Sequence, residues 1–452
     1  MLLLWVTGYL LVTILIGVYT SRYIHNSSDF ILAGRRLPFS MATATVFATW
    51  FGSETILGAS VEMAKHGLSG VIEEPFGAAL CLVLVGLFFA RPLYRKGYLT
   101  FGDYYRDQYG KKAETVAAIC LILSYFGWIA AQMVALGLIL QQVTGLSTEL
   151  SIVFTAVIVT VYTYMGGMWA VSLTDSIQML FIVIGLAVSV WFVIPSGGIE
   201  EVLASTPPEF FRFFPEATFN GWVLWLGALL TLGLGSIPQQ DVFQRVMSSR
   251  TEKIAVWSSL SAGVLYLTIA ILPLFLGLVA RYTFQGEISQ DMVPRLVTEK
   301  TPFAVQVVFL GALMSAILST ASGGILAPSS ILSENLVKPF VDYELDDSRL
   351  LYITRISILV ISFISLLMAL YQRNIYELVA GASALSLVSL FVPLVAGLFF
   401  KNRSQTAAVL SMFLGMSGWL LALYLQTQIP EIFYGLAFSF FGYITGIWRH
   451  GK

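Results

Sequence analysis

The chain has 452 residues, of which 57% are hydrophobic and only 11% charged, with a net charge of −1. A soluble domain carries about 25% charged residues, so the composition excludes a water-soluble protein and points to an all-α integral membrane protein. The near-zero net charge suggests no nucleic-acid partner; the lipid bilayer is the partner that the composition demands.

An apolar run of about 20 residues spans a bilayer. Thirteen such runs are readable: 1–20, 38–64, 70–90, 113–142, 149–165, 170–195, 219–238, 254–280, 302–335, 350–371, 375–400, 405–425 and 430–447. The first begins at Met1 with no basic residue before it and no A-x-A-like site after it, so it reads as a retained span, not a cleaved signal. The linkers are too short for a separate soluble domain.

Two runs are interrupted by small and polar residues. The run 38–64 breaks around Ala48–Ser53 (A-T-W-F-G-S), and the run 219–238 breaks around Gly233–Pro238 (G-L-G-S-I-P). A helix in lipid must satisfy every backbone N–H and C=O, so a break survives only where protein, water or solute pairs the freed groups. Paired breaks in corresponding halves point to a transporter site near the midplane. Spans two to six (38–195) and seven to eleven (219–400) each open with a broken helix. Five is odd, so the second set is inverted relative to the first. That leaves 1–37 as a peripheral helix and loop, and 405–452 as two peripheral helices with the C-terminus, all in one transporter domain.

Basic residues accumulate in cytoplasmic loops. With the N-terminus outside, all 25 Lys and Arg fall inside except Lys65, Arg212, Arg281, Arg295, Lys300 and Arg373. Thirteen spans then put the C-terminus in the cytoplasm. Cys81 and Cys120 lie in apolar spans and read as buried free thiols. His25, His66 and His450 are scattered and have no ligand spacing.

Sodium is a hard ion that prefers oxygen ligands. The ninth span carries S-A-I-L-S-T-A-S-G-G from Ser315 to Gly324. There the Ala316 carbonyl and the hydroxyls of Ser319 and Thr320 can cluster. Carbonyls of Ala48 and Phe51 at the first break would complete about five ligands. The alternative is that these hydroxyls bond back to their own i−4 carbonyls or join helices.

Three stretches resemble the sodium:solute symporter family: Y-T-Y-M-G-G-M-W-A-V-S-L-T-D (Tyr162–Asp175), G-S-I-P-Q-Q-D-V-F-Q-R-V-M-S-S (Gly235–Ser249) and the Ala316–Thr320 cluster. The resemblance covers about residues 8–400. It implies a LeuT-like fold of five plus five inverted helices with flanking helices. It also implies a sodium site of Ala48, Phe51, Ala316, Ser319 and Thr320 with Asp175 nearby. A carboxylate in a span is a functional hypothesis by default, although Asp175 could equally cap a helix start. Family members of a two-sodium design carry further hydroxyls after the Ser-Thr pair; here Ser322 is followed by Gly323, which favours one sodium per cycle. Sodium is the coupling ion so implied, with no organic cofactor.

The solute pocket is expected between the broken helices and the third and fourth spans. Its candidates are Trp50, Ser53, Glu54 and Thr55, then Tyr125, Trp128 and Gln132 on one helix face, then Ser236, Gln239 and Gln240, with Ser383 and Ser386. Gln239, Gln240, Gln244 and Arg245 have a second reading as a cytoplasmic gate, and Glu73 and Glu74 as shapers of the entrance. Glu54 could attract an amine or bond hydroxyls, pair with Lys65, or cap the outer half-helix. Within the family the local motifs are closest to the high-affinity choline transporter branch: A-T-W (Ala48–Trp50), P-F-G-A-A-L (Pro75–Leu80), G-L-F-F-A-R-P-L-Y-R-K-G-Y (Gly86–Tyr98) and F-Q-R-V-M-S-S (Phe243–Ser249). That branch holds a quaternary ammonium in an aromatic cage. Trp50 and Trp128 match two cage positions, whereas Ala78 and Gln239 replace aromatics.

The expected function is sodium-coupled symport of a small polar organic solute by alternating access. A choline or quaternary-amine transporter is the nearest alternative, and a sensor on a transporter fold the alternative of another class. No nucleophile–base pair marks an enzyme. The implied location is a bacterial-type cytoplasmic membrane.

Overall fold

A computed structural model of the chain describes residues 8, 12, 15–16, 18–341 and 346–450. The first expected span and the acidic stretch 342–345 therefore lie largely outside the described residues. The described chain is helical, with one isolated bridge between Leu37 and Ser249.

The elements used below run in chain order. They are α1 (Phe39–Phe47), α2 (Ala59–His66), α3 (Ala78–Leu84), α4 (Phe101–Tyr109), α5 (Lys111–Thr144), α6 (Thr148–Val193) and α7 (Phe219–Gly235). The second half holds α8 (Gln240–Met247), α9 (Glu252–Thr283), α10 (Phe303–Ile331), α11 (Asp347–Tyr371), α12 (Ile375–Ser386), α13 (Val392–Phe399), α14 (Gln405–Leu425) and α15 (Glu431–His450).

Both expected interruptions are present. α1 stops at Phe47, and residues 48–52 form turns before the chain re-enters helix through a π-turn at Glu54–Gly58. α7 stops at Gly235 and α8 resumes at Gln240, bent by 49°. The second break thus sits a few residues later than the sequence placed it.

The expectation of thirteen spans is not met as a helix count. Among the described residues eight helices are long and apolar enough to cross a membrane, or nine if the bent pair is one span. Two of the eight double back on themselves. In a straight helix residues 162 and 174 would stand about 18 Å apart, yet the Tyr162 and Thr174 hydroxyls are 2.9 Å apart. The reversal falls at Gly167, whose φ of +53° and ψ of −157° suit glycine alone. In the same way Thr55 Oγ1 lies 2.6 Å from Glu74 Oε1, where a straight helix would put about 28 Å between them. Hydrogen-bonded continuity across these reversals merges runs that the sequence separates.

The main apolar cluster runs through α1, α5, α6, α9 and α10, and a smaller one lies at residues 384–388 with Ile432. α10 packs along α6 and α5, and α9 along α1. Basic loops expected to share one face do meet: Leu37 N–H donates to Ser248 O (3.0 Å), Arg250 N–H to Leu37 O (2.9 Å), and Arg35 to Tyr98 O (2.8 Å). Arg281, assigned to the other face, donates to Ala64 O at 2.7 Å. Cys81 and Cys120 are buried free thiols.

Candidate ion and solute site

α10 brings its hydroxyls to the first break. Thr320 Oγ1 donates to the Ala48 carbonyl at 3.2 Å. The close approach depends on Gly52, where an added Cβ would stand 2.8 Å from Thr320 Oγ1. Ser319 donates to Asp175 Oδ1, and Thr45 of α1 donates to Asp175 Oδ2. Asp175 lies inside α6 with no exposure, so it does not cap a helix start. Ala316 is buried one turn before Thr320. Phe51 stacks on Phe47 with ring centroids 4.6 Å apart and meets Tyr266 edge-on. Back-bonding along the helix describes Ser322, which donates to Ser319 O, whereas Ser319 and Thr320 donate to Asp175 and to the Ala48 carbonyl.

Arg245 of α8 is wholly buried, with Nε 4.0 Å from Asp175 Oδ2. A Cβ at Gly323 would stand 2.2 Å from its Nη2. The position that lacks a hydroxyl is therefore the one that makes room for a guanidinium.

Glu54 is buried beside the same break. Trp128 Nε1 donates to its Oε1 (3.1 Å), Gln132 Nε2 to its Oε2 (2.8 Å), and Ser53 Oγ to Oε2 (3.3 Å). Gln132 Oε1 accepts from Ser53 N–H at 3.4 Å. Lys65 pairs with Glu62 at 3.0 Å and not with Glu54. Tyr125 meets Trp128 edge-on, with ring centroids 5.9 Å apart, and donates to Asp241 Oδ1, while Trp50 Nε1 donates to Asp241 Oδ2 at 3.0 Å. Thr55 lies 2.6 Å from both Glu74 Oε1 and the Tyr266 hydroxyl. Glu74 is only 1% exposed, so it belongs to the interior and not to the entrance.

The second break is quieter. Ser236 and Ser383 stand 3.4 Å apart, and Gln239 Nε2 donates to Ser386 at 3.4 Å. Gln240 instead accepts from Phe101 N–H (2.7 Å), and Gln244 donates to Ser330 (3.1 Å). These last two tie α8 to α4 and α10.

Thr45, Tyr266 and Asp241 were not singled out from the sequence. Asp241 had a signal: an acid within a membrane-spanning stretch is costly. Thr45 and Tyr266 had none, since their partners lie 130 and 192 residues away.

The sodium:solute symporter family model matches residues 30–415. The human high affinity choline transporter 1 is 29% identical, over 94% of this chain and 77% of that relative. The sodium/glucose cotransporter of Vibrio parahaemolyticus is 23% identical, over 95% and 87%. A solved substrate-bound, outward-open Na+-coupled sialic acid symporter superposes with a TM-score of 0.85 at 22% identity, covering 100% of this chain and 97% of that one. Broken helices, hydroxyls meeting a freed carbonyl, and a match along most of the chain agree: this protein belongs to the sodium:solute symporter family.

Proposed function

We propose that this symporter couples sodium entry to uptake of a small polar organic solute that carries a protonated N–H-bearing amine. The reading of the ion site is Ala48, Phe51 and Ala316 carbonyls with the Ser319 and Thr320 hydroxyls, and Asp175 behind Ser319. The Thr320–Ala48 contact supports it, because it joins a hydroxyl of α10 to the break at the ion's expected place. One sodium per cycle is the reading favoured by Arg245, which stands beside Asp175 as a resident cation. The transmembrane potential contributes about 2.3 kcal/mol per charge per 100 mV. Sodium orders the first break and raises solute affinity, and linkage requires the reverse in equal measure.

The single observation that carries the solute class is Glu54. It is a buried carboxylate held by Trp128, Gln132 and Ser53 and matched by no basic side chain among the described residues. An unpaired buried charge is expensive, and an arriving ammonium with N–H donors relieves that cost. Trp50, Ser53, Thr55, Tyr125 and Gln239 complete the wall in this reading. Choline is the second reading, supported by the buried Trp50 and Trp128; a quaternary ammonium offers Glu54 charge but no N–H donor.

The test is thermal stabilisation of the purified protein by primary amines, choline, neutral sugars and carboxylates, with and without sodium. Primary amines should stabilise only with sodium. Glu54→Gln should weaken amine affinity about ten- to a hundred-fold, as loss of a buried charged hydrogen bond does, and leave sodium affinity within about two-fold. Stabilisation by sugars or carboxylates alone would overturn the solute class, and an unchanged solute profile in the variant would remove Glu54 from the site.

A further inference from the structure

A groove of about 550 Å³ opens between α13 and α15, away from both broken helices. Val392, Val395 and Ala396 line one wall, and Phe440, Tyr443 and Ile447 the other, the latter three on one helix face. Phe399, Phe440 and Phe441 beside it are each more than half exposed, which in a multi-pass membrane protein means that they face lipid. Lys401 and Asn402 close one end. Lys401 and its neighbour Arg403 are exposed and have no acidic partner among the described residues.

We propose that this groove binds one acyl chain of an anionic phospholipid, with the phosphate seated on Lys401 and Arg403. The apolar walls match the chain, and the unpaired cations at one end match the charge. Basic pockets between membrane helices are known to select anionic headgroups. Sodium and solute binding are not involved, so the inference stands independently of the solute class.

The groove is tied to the helix that abuts α5. The Tyr443 hydroxyl lies 3.2 Å from that of Tyr109 and donates to Asn402 O at 3.2 Å. Tyr109 donates in turn to Pro393 O (2.7 Å), while Tyr104 and Tyr105 of α4 donate to Leu394 O (2.8 Å) and Leu390 O (2.9 Å). A bound chain would brace α13 and α15 where α4 holds α13, and should therefore raise the melting temperature.

The experiment is native mass spectrometry and thermal unfolding of the full chain in mild detergent, titrated with phosphatidylglycerol or phosphatidylcholine. One phosphatidylglycerol per chain should be retained and should raise the melting temperature more than phosphatidylcholine does. Each basic residue near a lipid surface is worth about five-fold in affinity, so Lys401→Ala with Arg403→Ala should weaken phosphatidylglycerol binding roughly thirty-fold and leave phosphatidylcholine unchanged. Val395→Phe should block both lipids while the lipid-free melting temperature stays at the wild-type value. Equal retention of the two lipids, or wild-type phosphatidylglycerol binding in the double variant, overturns the proposal. Efficient disulfide cross-linking of two copies through Phe440→Cys also overturns it, because the groove would then be an interface between chains.

Discussion

The two breaks have the same form and different chemistry. Around the first, residues 45–55 touch four buried carboxylates, Asp175, Asp241, Glu54 and Glu74, supplied by four different segments. Around the second, Ser236 and Gln239 meet the α12 hydroxyls of Ser383 and Ser386, neutral contacts that are long at 3.4 Å. Even the acid that follows the second break, Asp241, reaches across to Trp50 and Tyr125. Matching topology therefore does not share out the work. Charge is concentrated at the first break, while the second is a bend at which the side chains of Ser236 and Gln239 make neutral polar contacts.

The sharpest way to break that contrast is to strip the hydroxyls from the first break. Ser319→Ala with Thr320→Ala removes the two hydroxyls of the proposed ion site, each worth about 1.5–3 kcal/mol for a charged partner. The apparent sodium affinity in uptake assays should fall at least about a hundred-fold, with a near-normal melting temperature. Uptake that keeps its sodium dependence would remove the ion from this place.

A smaller effect is expected from Gly52→Ala. The new Cβ would press on Thr320 Oγ1 at 2.8 Å and on Gln132 Oε1 at 3.3 Å. Thr320 is buried and β-branched, so it escapes only by turning its hydroxyl away from the Ala48 carbonyl. Overpacking of this kind costs about 1–3 kcal/mol, which should appear as a sodium affinity lowered about ten-fold. Solute affinity measured at saturating sodium should change less, since Gln132 is an unbranched side chain that can yield. Equal losses in both would mean that ion and solute share one polar cluster instead of occupying two separate ones.

Much of this arrangement was legible because its signals are local. Glycine, serine and proline inside an apolar run mark a break, and the Ser319–Thr320 pair offers adjacent hydroxyls, although spacing alone left back-bonding open and only the family resemblance favoured a ligand role. The face Tyr125–Trp128–Gln132 was readable as a face, but not that Tyr125 turns to Asp241 while the other two hold Glu54. Glu74 misled because a position near a span's start reads as peripheral. The turn at Ile72–Gly77 carries it inward against Thr55 and Tyr266. Span counting failed for a related reason: reversals at single residues such as Gly167 leave hydrogen-bonded helix on both sides. Pairings between residues more than a hundred positions apart have no signature in one sequence.

The least effect is expected at Gln239, and its smallness is what tests the contrast. Its amide donates to the Ser386 hydroxyl at 3.4 Å. A neutral hydrogen bond contributes about 0.5–1.5 kcal/mol even at good geometry, and this one is stretched. Gln239→Ala should therefore shift solute affinity by less than about three-fold and leave sodium affinity unchanged. Ser386 keeps its bond to the Gly235 carbonyl, so the bend should survive the substitution. A loss as large as that of Glu54→Gln would show that the second break contacts the solute directly, and the division between a charged break and a neutral one would have to be redrawn.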